Sequence, residues 1–516
     1  MRKKIVFFLI IILLIFYRFI FYSADPFYVS WSTGAYTDIG FYLHNARHQY
    51  LFNSPLFGNW DNRFLFPVYH YYYLFLFEIF GLSKLTIQLN LVIIQIIIIF
   101  FLYKTIYKIY NDYKISLLAI FVYSYNFNLI RNNRIPFLEN MMLLFFIISF
   151  FFLNDNKKFS FVLSGVFYVF SIMCKSITLF LLPAYLIFLF LKKKSGIKYF
   201  LIGLICVLII WFLIMFQTNY NILYYTIFNK PIKANFTYLF RIYNVFNTNL
   251  FMRMPIIFYS VFFYFLIILL YQIKLSQYQI FLILSFVFSH FFIAFSFYNP
   301  DRYYLLLLFF YLLIFVDFIY FIFYKNSEFY KTIKINLIII FLSFLILHFI
   351  SYNNIFVFYR SFLNTHILFN NIIKYSFLVI LCNLIFFIFF VLLSKKYYHK
   401  FIILLLVFSF VLNNYQFYEA IKKRSYAIKE IQDYIAKNID REKIITGWWS
   451  PTLALFSKAK ILTVYNEDDY NNFIFDYIIL ENEIQANTFK NKQIIKIQDF
   501  YIPYLKKYIT LYQIIK

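Results

Sequence analysis

Residues 85–103 read LTIQLNLVIIQIIIIFFLY, an unbroken uncharged run preceded by Ser83-Lys84 and followed by Lys104. At 1.5 Å of rise per residue, a helix of this length crosses about 30 Å of hydrocarbon. Runs of roughly 17 to 20 apolar residues bounded by Lys or Asn recur along the chain, so the reading extends from one span to many. The composition agrees with it. Of 516 residues, 63% are hydrophobic, 26% aromatic and 14% charged, and mean hydropathy is +0.72. A soluble domain has about 45–50% apolar and about 25% charged residues. Eight Gly and 10 Pro exclude a collagen-like or low-complexity chain, and three Cys exclude a disulfide scaffold. The run length excludes an outer-membrane barrel, whose segments alternate over about ten residues.

The net charge of +26 does not indicate a nucleic-acid partner. Part of it belongs to a composition rich in Lys, Asn, Ile, Phe and Tyr, and the rest is topological. Arg2-Lys3-Lys4 precedes an apolar run from Ile5 to Tyr22 that is longer than the core of a signal peptide and lacks a good cleavage site. It is read as a retained first helix with a cytoplasmic N-terminus. Further spans are expected near 85–103, 115–130, 137–153, 159–173, 177–191, 199–217, 256–273, 279–297, 304–323, 335–351, 373–393 and 401–416, about thirteen in all. The loops then predicted as cytoplasmic carry Lys104/Lys108/Lys114, Lys157/Lys158, Lys192–Lys194 with Lys198, Lys325/Lys331/Lys334 and Lys395/Lys396/Lys400, as the positive-inside rule requires. The fold class expected is an all-α polytopic membrane domain over 1–416 with a small extracytoplasmic α/β domain over 417–516. In that domain an amphipathic helix near 417–438 precedes strands at Lys443 to Trp449 and near 460–465, 473–481, 493–499 and 508–515, with a short helix from Pro451. Two more long segments, 23–84 and 218–255, fall on the same outer side, where long loops carry function.

The tail holds 12 of the 22 acids. In the membrane part Asp112, Asp155 and Glu328 fall in cytoplasmic loops, and Asp317 sits near the inner end of a span. Asp25, Asp38, Asp61, Glu78, Glu139 and Asp301 all lie on the outer side. A proton-coupled transporter would place carboxylates inside its spans near the midplane; this chain gathers them at one face.

The first outer loop reads Thr37-Asp38-Ile39-Gly40-Phe41-Tyr42-Leu43-His44-Asn45-Ala46-Arg47-His48, then Gly58-Asn59-Trp60-Asp61-Asn62-Arg63 and an aromatic run from Phe64 to Phe80. Further along come Arg134-Ile135-Pro136-Phe137-Leu138-Glu139-Asn140, Lys175-Ser176, Tyr298-Asn299-Pro300-Asp301-Arg302-Tyr303-Tyr304 and Ile445-Thr446-Gly447-Trp448-Trp449-Ser450-Pro451. In this order, over nearly the whole chain, the stretches resemble the C-type glycosyltransferases that use polyprenyl-phosphate sugars, the group of protein O-mannosyltransferases and lipid A aminoarabinose transferases. Each motif alone is short. One departure stands out: the position after the loop aspartate, commonly Glu in that group, is Ile39.

The resemblance implies transfer of a sugar, with inversion, from a polyprenyl-phosphate donor to a lipid, glycan or protein acceptor at the outer membrane face. Such chemistry needs a carboxylate to take the acceptor proton and cations for the departing lipid phosphate. Asp38 is the candidate general base, against the plainer reading of a helix N-cap. Glu139 is the candidate that assists it or pairs with Arg134. Arg134, Lys175, Arg302, Arg47 and Tyr303 are the candidates for donor phosphate or sugar, although a basic residue at a span end can equally anchor to lipid headgroups. His44 and His48, four apart on one helix face, are the weak candidates for a divalent metal; with Ile39 after Asp38 no second carboxylate supports one. The tyrosines of the aromatic run suit an interfacial belt better than a lid. No Walker loop, Gly-rich dinucleotide motif or Asp-x-Asp motif points to a soluble nucleotide donor. The alternatives are a flippase for lipid-linked glycans and a member of the same fold that has lost its chemistry.

Overall fold

The computed structural model describes residues 2–26, 34–54, 57–58, 61, 63, 66–218, 254–270, 272–295, 304–324, 398–464, 473–481, 493–503 and 505–515. The N-terminal half is helical: α1 Arg2–Phe19, α2 Gly34–Phe52, α3 Pro67–Phe80, α4 Lys84–Tyr110, α5 Tyr113–Tyr125, α6 Phe127–Asn133, α7 Leu138–Leu153 and α8 Lys158–Cys174. A 3-10 turn, Ser176–Leu181, leads into α9 Leu182–Lys192, followed by α10 Lys194–Thr218, α11 Pro255–Leu270, α12 Gln277–Phe295, α13 Tyr304–Tyr324 and α14 Tyr398–Lys422. Every expected span that falls on described residues is helical; those at 335–351 and 373–393 lie outside them. The number of crossings is another matter. Among the described residues three helices are long and apolar enough to span a bilayer, or four if α6 and α7 form one bent span. Some of the others are short for a local reason: Asn126 ends α5 and caps α6 through its side-chain oxygen.

The bend between α6 and α7 is 113° and holds Pro136, which cannot continue a helix. Three consecutive carbonyls are thereby released in an apolar interior, where each would be costly without a donor. Side chains supply all three. Gln88 Nε2 reaches Arg134 O at 3.3 Å, Asn140 Nδ2 reaches Ile135 O at 2.7 Å, and the Tyr69 hydroxyl donates to Pro136 O. Gln95, one more polar position of the otherwise apolar α4, accepts from Tyr123 Oη at 2.7 Å and Asn133 Nδ2 at 2.8 Å. The two Gln residues of 85–103 therefore help hold a broken helix in place, while Asn90 bonds to Tyr72 and Tyr73 of α3.

Beyond α14 the chain forms α15 Ala427–Asn438, β1 Ile444–Thr446, α16 Ser450–Leu453, β2 Lys460–Ile461, β3 Tyr477–Leu480, β4 Gln493–Ile502 and β5 Lys507–Ile515. The strands make one sheet in the order β2-β1-β3-β5-β4. β1 is parallel to β2 and β3, while β3 with β5 and β5 with β4 are antiparallel. The strands and the short helix lie where the sequence placed them. The single helix expected near 417–438 is instead two, α14 and α15, separated at 423–426. Asp25, just after α1, fixes that break: its backbone N–H donates to Ser425 O at 2.8 Å, and its carboxylate accepts the Ile428 and Lys429 N–H groups at 3.2 and 3.4 Å. It is the N-terminal cap of α15, supplied from the far end of the chain.

Candidate active site

α2 lies between the helices and the sheet, with Asp38 half-buried near its start. Its docking onto the C-terminal region is close. The Thr452 hydroxyl donates to Thr37 O at 2.8 Å and accepts Gly40 N–H at 3.0 Å, bracketing Asp38 on the chain. Gly40 is required by proximity: a Cβ there would stand 2.1 Å from Pro451 C and from Thr452 N.

One turn farther along the same face of α2 comes Tyr42. The Lys175 ammonium sits 5.8 Å from the Tyr42 ring centre and 5.6 Å from that of Phe66. Lys175, which follows α8, also lies 3.6 Å from Glu139 Oε1 in the first turn of α7. Both side chains are largely buried, at 11% and 1% exposure, so the pair is screened little by water. Tyr69 packs on Tyr42 and donates to Pro136 O, which ties this group to the bend. Asp38, Tyr42, Lys175 and Glu139 thus follow one another across the junction of α2, α7 and α8.

The residue after Asp38 faces a second part of the site. Ile39 lines a cavity of about 60 Å³ together with Lys84, Gln88, Arg134, Thr452 and Phe456. Lys84, at the head of α4, donates to Ser23 O at 2.7 Å and Ala24 O at 3.3 Å. Arg134, predicted as a donor-binding cation, does line this cavity, and it also clamps α1: Nη1 and Nη2 donate to Tyr17 O at 3.0 Å and Phe21 O at 3.1 Å, the carbonyls where that helix ends. Lys84 and Gln88 were not singled out from sequence. Their signal is a Lys and a Gln four apart at the head of an apolar span.

Three other candidates have a different job. Arg47, expected to hold donor phosphate or sugar, is fully buried, and its guanidinium donates to Leu455 O, Ser457 O and Ala459 O, each at 2.8 Å. His48 Nε2 accepts Ile461 N–H at 3.1 Å, and His44 Nε2 lies 2.9 Å from Thr463 Oγ1. Nε and Nη2 of Arg47 thus serve main-chain carbonyls and tie α2 to the tail, while its Nη1 is buried with no hydrogen-bond partner among the described residues. The two histidines face the tail as well. His48 uses its acceptor nitrogen on a backbone amide, and no group of three His, Cys, Asp or Glu side chains that could hold a metal occurs among the described residues. Arg302 and Tyr303 lie outside the described residues.

This dock responds to pH. Burial, with Arg47 beside it, lowers the His44 imidazole from 6.5 to about 3; burial, then His44 and Arg47, hold His48 well below its ordinary value. An undocked histidine takes up a proton near pH 6.5 and the docked one does not. Docking is therefore fully stable above about pH 6.5 and loses roughly 1.4 kcal/mol per pH unit, while one histidine titrates, as pH falls toward the docked values. Limited proteolysis of the tail in nanodiscs should show cleavage increasing from pH 7.5 to 5. Equal resistance at both would contradict the account.

No protein-family profile matches the chain, and no curated protein matches it. Solved structures do. The chain is similar to ArnT from Cupriavidus metallidurans bound to undecaprenyl phosphate, with a TM-score of 0.56 at 9% identity over 98% of this chain and 97% of the other. It is similar also to the apo state of the same protein, with a TM-score of 0.56 at 10% identity over 99% and 98%. The chain thus has the ArnT-like fold over nearly its full length.

Proposed function

We propose that this protein is a membrane glycosyltransferase that moves a sugar, with inversion, from a polyprenyl-phosphate donor to a hydroxyl or phosphate acceptor on a lipid, glycan or protein at the outer face of the membrane. The observation that carries the reading is the placement of α2. Asp38 stands one helical turn from the Tyr42–Lys175–Glu139 group, while its neighbour Ile39 borders the cavity of Lys84 and Arg134. A half-exposed carboxylate beside two sets of cations, at the head of apolar helices, suits an acceptor proton on one side and a lipid phosphate on the other. The solved neighbour with undecaprenyl phosphate bound supports the same donor class.

In the reaction Asp38 takes the proton of the attacking hydroxyl. The acceptor oxygen bonds to the anomeric carbon as the bond from that carbon to the phosphate oxygen breaks, and the lipid phosphate leaves with the electron pair and a growing negative charge. Lys84, Arg134 and Lys175 stabilise that charge. Arg302 and Tyr303 complete the donor site in this reading. Glu139 holds the Lys175 ammonium toward the site. A lone Asp suffices for this proton transfer, so Ile39 does not by itself remove the chemistry.

The test is a transfer assay in nanodiscs with radiolabelled polyprenyl-phosphate hexoses and pentoses, following label to any acceptor or to water. Label leaving the lipid supports the reading. Intact labelled lipid crossing the bilayer would make the protein a flippase, and no change with any donor would favour a fold without its chemistry.

A further inference from the structure

The other end of the helices holds a larger cavity, of about 570 Å³, in the size range of ligand sites. α4 separates the two places. Its Lys84 end lines the candidate active site and its Lys108–Tyr110 end lines this cavity, about 36 Å away at 1.5 Å per residue. The cavity brings together the ends of α4, α9 and α13 and the start of α12, with Lys108, Lys192, Asn154, Gln277, Tyr278 and Phe188 among its walls.

Among the described residues no Asp or Glu lines it. Lys108 is paired with Asp155 at 2.7 Å, a bond about a third exposed on each side. Lys192 is held by carbonyls, Leu153 O at 3.1 Å and Asp155 O at 3.5 Å, and has no carboxylate within ion-pair distance among the described residues. The Tyr278 hydroxyl is buried and makes no hydrogen bond of ordinary length among the described residues. Beneath the wall, Asp317 is surrounded by donors: the Tyr110 and Tyr264 hydroxyls and Gln279 Nε2 at 3.1 Å. It fixes Tyr110 and Gln279 in the lining, and its oxygens are turned toward those donors. Phe188, one turn before Lys192 on the same face of α9, together with Ile109, Tyr320 and Phe321, gives the cavity apolar walls beside its two lysines.

We propose that this cavity binds the phosphate-bearing headgroup of an anionic phospholipid, with Lys192 and Lys108 on the phosphate, Tyr278 and the amides on the polar remainder, and the start of the acyl chains against the apolar walls. Basic pockets between helices at the Lys-rich side of a membrane protein meet anionic headgroups, and Lys serves phosphate as a point charge. The apolar walls are what select a lipid over a soluble phosphate. This inference does not depend on the reaction proposed above.

Full-length protein would be reconstituted in nanodiscs of phosphatidylcholine with graded phosphatidylglycerol, and lipid retained on extraction would be counted by native mass spectrometry. Saturable retention of phosphatidylglycerol is expected, weakened at least tenfold in Lys108→Gln/Lys192→Gln and kept in Lys192→Arg. Lys104→Gln, an exposed position on the same helix, should behave as wild type and controls for a general loss of charge. Equal retention by wild type and the double variant, or equal retention of both lipids, would overturn the proposal. So would displacement by millimolar inorganic phosphate, which would make this a free-phosphate site. A double variant with a lowered melting temperature is read through Lys192→Gln alone, for which unchanged retention is equally adverse.

Discussion

Asp38→Asn is expected to slow sugar transfer by about 10²- to 10⁴-fold, the usual worth of a positioned general base. The substitution keeps shape and size but removes the ability to take a proton. Because Asp38 is half-exposed and on a helix docked through its backbone neighbours, the fold should survive. Tail resistance to protease and melting temperature should match wild type, which separates this variant from a docking defect. Donor binding should persist, since in the proposed reaction the cations, and not this carboxylate, meet the lipid phosphate. Transfer within a few-fold of wild type would place the base elsewhere. Glu139, 3.6 Å from the Lys175 ammonium, would be the next carboxylate to test.

Gly40→Val should slow transfer by about 10²-fold or more for a mechanical reason. The new Cβ would meet Pro451 C and Thr452 N at 2.1 Å, and these are backbone atoms that no rotamer change can move away. Relief requires α2 to separate from α16, which breaks both Thr452 hydrogen bonds and shifts Asp38 relative to Lys175. A displacement of about 1 Å in a reacting group can cost about 10²-fold. Unlike Asp38→Asn, this variant should also expose the tail to protease. Thr452→Val is the milder companion: it removes the hydroxyl's two hydrogen bonds to Thr37 O and Gly40 N–H, worth about 0.5–1.5 kcal/mol each, and Thr452→Ser should restore both bonds. An active Gly40→Val protein with a resistant tail would show that the dock does not position the base.

Much of the architecture was legible locally. An apolar run such as 85–103 is helical because its own backbone must satisfy itself in hydrocarbon, and the strands of the tail follow from alternation and β-branched content within a few residues. Hydropathy is a local sum, so the placement of helices survives translation into structure. Their bends and ends depend on partners: the break at 423–426 follows from Asp25, and the 113° bend at Pro136 from Gln88, Asn140 and Tyr69.

The candidate site divides the same way. Sequence placed Asp38, Glu139 and Lys175 as chemistry-bearing residues, and the fold brings Glu139 and Lys175 together beside the Tyr42 face. Arg47, His44 and His48 carry equally suggestive side chains four and fewer residues apart, yet their partners at Leu455, Ile461 and Thr463 come from some 410 positions away. Lys84 looked like the boundary of a span and proves to line the cavity beside Arg134. By itself the sequence determined which segments are helices and strands and which residues could do acid–base or phosphate chemistry. Only the tertiary structure decided which buried cations face the cavities and which are consumed by main-chain carbonyls, because a buried charge is assigned by whichever distant groups fold against it.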